Sequence, residues 1–195
     1  MLGDDHHLWN NYWRGDVGGG KWGWWDHGTP SRTVVVDGGV GATVMNGHAC
    51  AFVWCRDGHL WATWWNKEKK EQNKWQWDDH GTPSDSVTVN GAVGVATSGS
   101  NTHVFVRGSN GRLYVRYWYG GKWQWSEAPS PYSIADGVGV AMIEGSAQSF
   151  AFMRDDDLHL WRPGSSRVDL LLARSFSGQP FVDRSQFVRR RYIVP

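Results

Sequence analysis

The stretch KWGWWDHGTPS at residues 21–31 returns at residues 74–84 as KWQWDDHGTPS, with only positions 23/76 and 25/78 changed. Two copies of one phrase, 53 residues apart, mark a repeated supersecondary unit. Further anchors recur in the same order. Leu8-Trp9 with Tyr12-Trp13 is matched by Leu60-Trp61 with Trp64-Trp65 and by Leu113-Tyr114 with Tyr117-Trp118, and the pattern begins again at Leu160-Trp161. The Trp-x-Trp pairs are Trp22/Trp24, Trp75/Trp77 and Trp123/Trp125, each directly after a Lys. Glycine-valine runs begin at Gly38, Gly91 and Gly137, and each leads into an apolar run: AFVWC from Ala51, HVFVR from His103 and FAFMR from Phe150.

Each unit therefore holds four short apolar or alternating runs. Arg56-Asp57-Gly58 and Ser109-Asn110-Gly111 read as hairpin turns, because Gly, Asn and Asp tolerate positive φ, so the flanking runs pair antiparallel. From Leu60 onward, one strand face shows Leu60, Ala62 and Trp64 and the other Trp61, Thr63 and Trp65. Apolar side chains on both faces call for cover on both. The reading is all-β: four-stranded antiparallel repeats in the order glycine-valine, Phe-Val, Leu-Trp, Trp-x-Trp, stacked as β-propeller blades. Asp-His-Gly-Thr-Pro becomes the link to the next innermost strand. The blades fall at about 7–26 (last two strands), 33–78, 87–126 and 134–161 (first strands), an incomplete ring in one chain. Two copies would supply six blades, which makes a homo-oligomer the expectation, and a truncated chain is the competing one.

Composition agrees with strands. Fifteen Trp and twenty-five Gly suit short strands and tight turns better than helices. Two regions follow: the repeat region, 1–161, and a tail, 162–195, in which seven Arg face Asp169 and Asp183. With a formal net charge of +1 for the whole chain, the repeats are mildly acidic, which speaks against a nucleic-acid groove there. The tail is either solvated or touches an anionic surface. Cys50 and Cys55 on one strand would point to opposite faces roughly 16 Å apart, so free buried thiols are expected. The start MLGDDHHLWNN lacks the basic and apolar pattern of a signal peptide, and no run is long enough for a membrane span. The expected compartment is the cytosol, or export by a route without a signal peptide.

The runs VFVRGSNGRLYVRYWYGGKWQW (104–125), GHLWATWW (58–65) and KWQWDDHGTP (74–83) resemble the repeat of the β-propeller lectins of the PLL and fucose-lectin-like type. The resemblance covers roughly residues 5–161. It implies six or seven blades and monosaccharide pockets between adjacent blades. The sequence departs from the group in blade number, in long insertions after Trp13 and Trp65, and in lacking His-Gly-Thr in its third linker.

A sugar needs an aromatic ring under its C–H face and a few hydrogen-bonding groups. The candidates are Trp13, Trp65 and Trp118 at strand ends before variable loops, with Asp26, His27, Thr29 and Asp79, His80, Thr82 at the blade junctions. His27 and His80 could equally pin the loop. Leu8, Leu60, Trp22, Trp75 and their equivalents are read as packing. Asp26 and Asp79 share one context, which suits repeated binding better than the unlike carboxylate pair of a hydrolase, and no hydrolase or phosphate-loop motif is present. No cofactor is implied. His6-His7 and Asp155-Asp156-Asp157 lack metal-ligand spacing, and Arg14-Gly15-Asp16 reads as a turn. The expectation is a non-catalytic, multivalent lectin for fucose, galactose or N-acetylglucosamine units of glycans. A propeller scaffold for protein partners, or a truncated chain without activity, are the alternatives.

Overall fold

The structure is a computed structural model and describes residues 1–15, 19–66, 75–129, 133–145 and 148–155. Asp16 of the Arg-Gly-Asp triplet, the charged loop 67–74, the Asp156-Asp157 pair, Leu160-Trp161 and the tail 162–195 lie outside the described residues.

The described residues form strands and no helix. In chain order they are β1 (Trp9–Arg14), β2 (Lys21–Asp26), β3 (Val36–Met45), β4 (His48–Cys55), β5 (Leu60–Trp65), β6 (Trp75–Asp79), β7 (Val89–Ser98), β8 (Asn101–Gly108), β9 (Leu113–Tyr119), β10 (Lys122–Glu127), β11 (Ile134–Met142) and β12 (Ser149–Asp155). They make two four-stranded antiparallel sheets, β3-β4-β5-β6 and β7-β8-β9-β10, and two two-stranded sheets, β1-β2 and β11-β12. Strand boundaries and order follow the sequence reading, from the glycine-valine strand to the Trp-x-Trp strand. Among the described residues no helix is long and apolar enough to cross a membrane.

Turn chemistry closes the hairpins. Asn46 and Gly47, both at positive φ (50° and 78°), join β3 to β4, and Gly58 and Gly111 take φ of 81° and 78° ahead of β5 and β9. The glycine-valine strands β3, β7 and β11 each slip register against their partners, between Val36 and Gly41, between Val89 and Val93, and between Ile134 and Val138. Such bulges strengthen the local twist.

Three apolar layers separate the four sheets. Leu8 meets Val36, Val53 and Cys55 between β1-β2 and the β3–β6 sheet. Phe52, Leu60 and Ala62 meet Val89, Val104 and Tyr114 between the two four-stranded sheets. Phe105, Leu113 and Val115 meet Ile134, Ala151 and Met153 beyond them. The alternation of β4 sends Cys50 into one layer and Cys55 into another, as the spacing requires. Both thiols are free and buried, and burial pushes their pKa values up to about 11 and about 12.

The glycine-valine strands β3, β7 and β11 lie side by side at van der Waals distance. A Cβ placed on Gly94 of β7 would stand 2.3 Å from the Val138 carbonyl oxygen and 2.7 Å from Val140 Cγ2. Backbone blocks that approach, so Gly94→Val is expected to lower stability by about 3 kcal/mol. Urea unfolding of the variant followed by tryptophan emission measures it.

Candidate functional site

The polar half of the repeated phrase is bound into its own loop. Asp26 accepts from the Gly28 N–H at 2.7 Å and pairs with His7 Nδ1 at 2.9 Å. Asp79 accepts from the Gly81 N–H at 2.7 Å and pairs with His59 Nδ1 at 3.0 Å. His7 and His59 are themselves set by an acid two residues earlier: Asp5 and Asp57 accept their N–H groups, each at 3.0 Å. The same acids take the indole N–H of Trp9 (3.2 Å) and Trp61 (3.0 Å). Thr29 and Thr82 donate to the carbonyl oxygens of Ser31 (2.8 Å) and Ser84 (3.1 Å).

This Asp-x-His-Leu-Trp cluster escaped the sequence reading, which took His6-His7 as an isolated pair. The signal is nevertheless there, at residues 5–9 and 57–61 and again at 157–161, which lie beyond the described residues. The third unit uses other residues for the same geometry. Asn110 accepts the Arg112 N–H at 3.1 Å, and Arg112 pairs with Glu127 at 2.8 Å. Among the described residues no group of three or more His, Cys, Asp or Glu side chains could hold a metal ion.

His27 and His80 leave their own sheet and enter the next. The His27 ring meets Trp75 edge-on at 4.2 Å, and the His80 ring meets Trp123 at 4.8 Å and Phe52 at 5.4 Å. The second tryptophan of each Trp-x-Trp pair completes the contact. Trp77 and Trp125 donate their indole N–H to the main-chain oxygens of His27 (3.1 Å) and His80 (3.0 Å). His27 Nε2 also pairs with Asn10 Oδ1 at 3.1 Å. Among the described residues the Nδ1 atoms of both histidines are buried without a partner, as are Thr63 Oγ1 and Arg116 Nε, which hold equivalent places on β5 and β9.

The tryptophans named in the sequence sit at the other end of this contact. Trp65 lies 5.6 Å from Trp75 and Trp118 lies 5.6 Å from Trp123, each a cross-strand pair. The His27 and His80 junctions thus each carry a ladder of rings running from a half-buried outer indole through an inner indole to the histidine of the preceding sheet. His27 meets Trp65 through Trp75, and His80 meets Trp118 through Trp123. Trp13 pairs with Trp22 at 5.4 Å in the same way, with no histidine against Trp22 among the described residues. The expectation that Trp22 is packing fails, since it is 68% exposed. A cleft of about 340 Å³ opens beside β1, between that strand and the β3-β4 pair, lined among others by Trp9, Asn10, His27, Ala42, Ala51 and Trp75.

No family model and no curated protein matches the chain.

Burial lowers the pKa of His27, His80 and His103 from 6.5 to about 4. For His80 the Arg116 charge adds to the effect and Asp79 opposes it. In the window from pH 6.5 down to pH 4 the unfolded chain binds protons that the fold refuses, so stability falls as pH falls. His7 acts oppositely: its bond to Asp26 raises its pKa, so its contribution is full in acid and is lost as pH rises through the raised value. His7 lies near the surface and is screened, so the three buried histidines dominate. Thermal unfolding followed by circular dichroism is expected to show a melting temperature lower by on the order of 5–10 °C at pH 4.5 than at pH 7. The drop should shrink in His80→Leu.

Proposed function

We propose that the chain is a non-catalytic carbohydrate-binding protein of the β-propeller type, which holds monosaccharide units of glycans at the junctions between consecutive sheets. The observation that carries the reading is the ring ladder, made twice with the same geometry. Trp65 and Trp118 end their ladders partly open to solvent, beside loops that differ in length from unit to unit. An indole fixed from beneath by a second indole is a rigid apolar platform for the C–H face of a pyranose, and it costs little conformational entropy to use.

The propeller reading rests on the order of strands. The chain leaves each sheet by its outermost strand and re-enters the next by its innermost, and β3, β7 and β11 lie together on one side. In that arrangement the two junctions that carry histidine are copies of one another. Copies of a weak site become useful through multivalency on a glycan surface. Fucose, galactose and N-acetylglucosamine each offer an apolar patch of the required size.

Calorimetry and tryptophan emission with these three sugars test the reading. Binding of at least one is expected, with a shift in emission. Trp65→Ala and Trp118→Ala should each weaken the site they remove about tenfold, the worth of roughly 1.4 kcal/mol. No heat and no emission change with any of the three sugars would overturn it.

A further inference from the structure

The two ends of the sheet stack repeat one contact that the interior makes twice. Inside, the glycine of each innermost strand receives the valines of the next. A Cβ on Gly41 would lie 3.0 Å from Val95 Cγ1 and 3.2 Å from the Val93 carbonyl oxygen, and one on Gly94 would lie 2.3 Å from the Val138 carbonyl oxygen. Gly139 holds the same place on β11 but is exposed, and among the described residues a Cβ there would have only Phe152 of its own sheet within 4 Å, at 3.8 Å. At the opposite end, Val40 and Ala42 hold the places of Val93 and Val95, yet both are exposed, Val40 by 39%.

The outer strands show the same imbalance. Trp22 and Trp24 are 68% and 57% exposed, while their equivalents Trp75, Trp77, Trp123 and Trp125 are half-buried against the preceding sheet. The cleft beside β1 is lined by Val40 and Ala42 and lies along the β1 edge of a sheet that, among the described residues, has two strands rather than four. Among the described residues, then, β1-β2 matches the last two strands of a four-stranded sheet and β11-β12 the first two. Complementary surfaces at opposite ends of one chain give a head-to-tail interface, which either closes or polymerises.

We propose that these faces meet between two copies of the chain. The β11 strand of one copy seats Gly139 over Val40 and Ala42 of the other, and its β11-β12 hairpin enters the cleft beside β1. The exchange is mutual, so two copies close with neither end open, and the two half-sheets of each copy become four-stranded sheets shared with its partner. The inference rests on the propeller reading of the fold and not on sugar binding. Met1–Gly3 now runs back along β1, with Met1 and Trp9 exchanging hydrogen bonds of 2.7 and 2.9 Å and Leu2 bridging Leu8. By register these residues stand where Met153–Asp155 would come, so docking exchanges one segment for the other.

Light scattering of the full chain and of Gly139→Val tests the interface. Gly139 has open space and an ordinary φ, so the substitution spares the isolated fold while placing two methyl groups in the contact. The wild type is expected at twice 22.0 kDa, and Gly139→Val at 22.0 kDa with an unchanged circular dichroism spectrum. Val40→Asp, on the opposite face, should do the same. A wild type at 22.0 kDa, an assembly larger than two copies, or both variants remaining at two copies would each overturn the proposal. The mass is read without ligand, so a failure to bind sugar leaves this result untouched.

Discussion

A histidine of one sheet held against two tryptophans of the next is the contact that sets two of the three junctions between the described sheets. Strands with aromatic side chains on both faces cannot stand in water alone. His27 and His80 carry the exit loop across the gap, where Trp75 or Trp123 receives the ring edge-on and Trp77 or Trp125 binds the main-chain oxygen. The ring contact and the hydrogen bond are each worth about 1 kcal/mol. Together they have a direction, which apolar burial lacks, and so they fix how far one sheet is staggered along the next. Burial also keeps the imidazole neutral, and for that reason the junction is the acid-sensitive part of the fold.

The charged residues around the junction shape the loop that delivers the histidine. Asp26 and Asp79 each hold the glycine two residues on and a histidine from the preceding hairpin turn, so the turn and the exit loop are tied at one corner of the sheet. In the third unit Arg112 and Glu127 make that tie, and Ala128 stands where His27 and His80 stand. The corner is kept although its chemistry changes, while the histidine is not. The geometry of the corner is therefore the more general requirement, and the ring ladder belongs to the two junctions that carry histidine.

Strand order, hairpin turns and the fate of the two cysteines were legible in the sequence because each depends on local rules: alternation along a strand, and glycine or asparagine where φ is positive. The candidate site was legible by half. His27, His80, Trp65 and Trp118 do gather at the junctions, but each histidine meets the tryptophans of the following unit, and a repeat read one unit at a time does not show that offset. The ties of Asp26 to His7 and Asp79 to His59 span about twenty residues and look like isolated acids and histidines in the chain. Trp22 was misjudged for the opposite reason. Its phrase is the same as that of Trp75, yet Trp22 is exposed where Trp75 is half-buried, a difference that the phrase itself does not carry.

A double-mutant cycle between His80 and Trp123 measures the central contact most directly, using chemical unfolding of the wild type, His80→Ala, Trp123→Ala and the double variant. The structure predicts a coupling of about 1 kcal/mol, with the double variant less destabilised than the sum of the single ones. Strict additivity would mean that the two rings act independently, and would contradict the account of how the sheets are held.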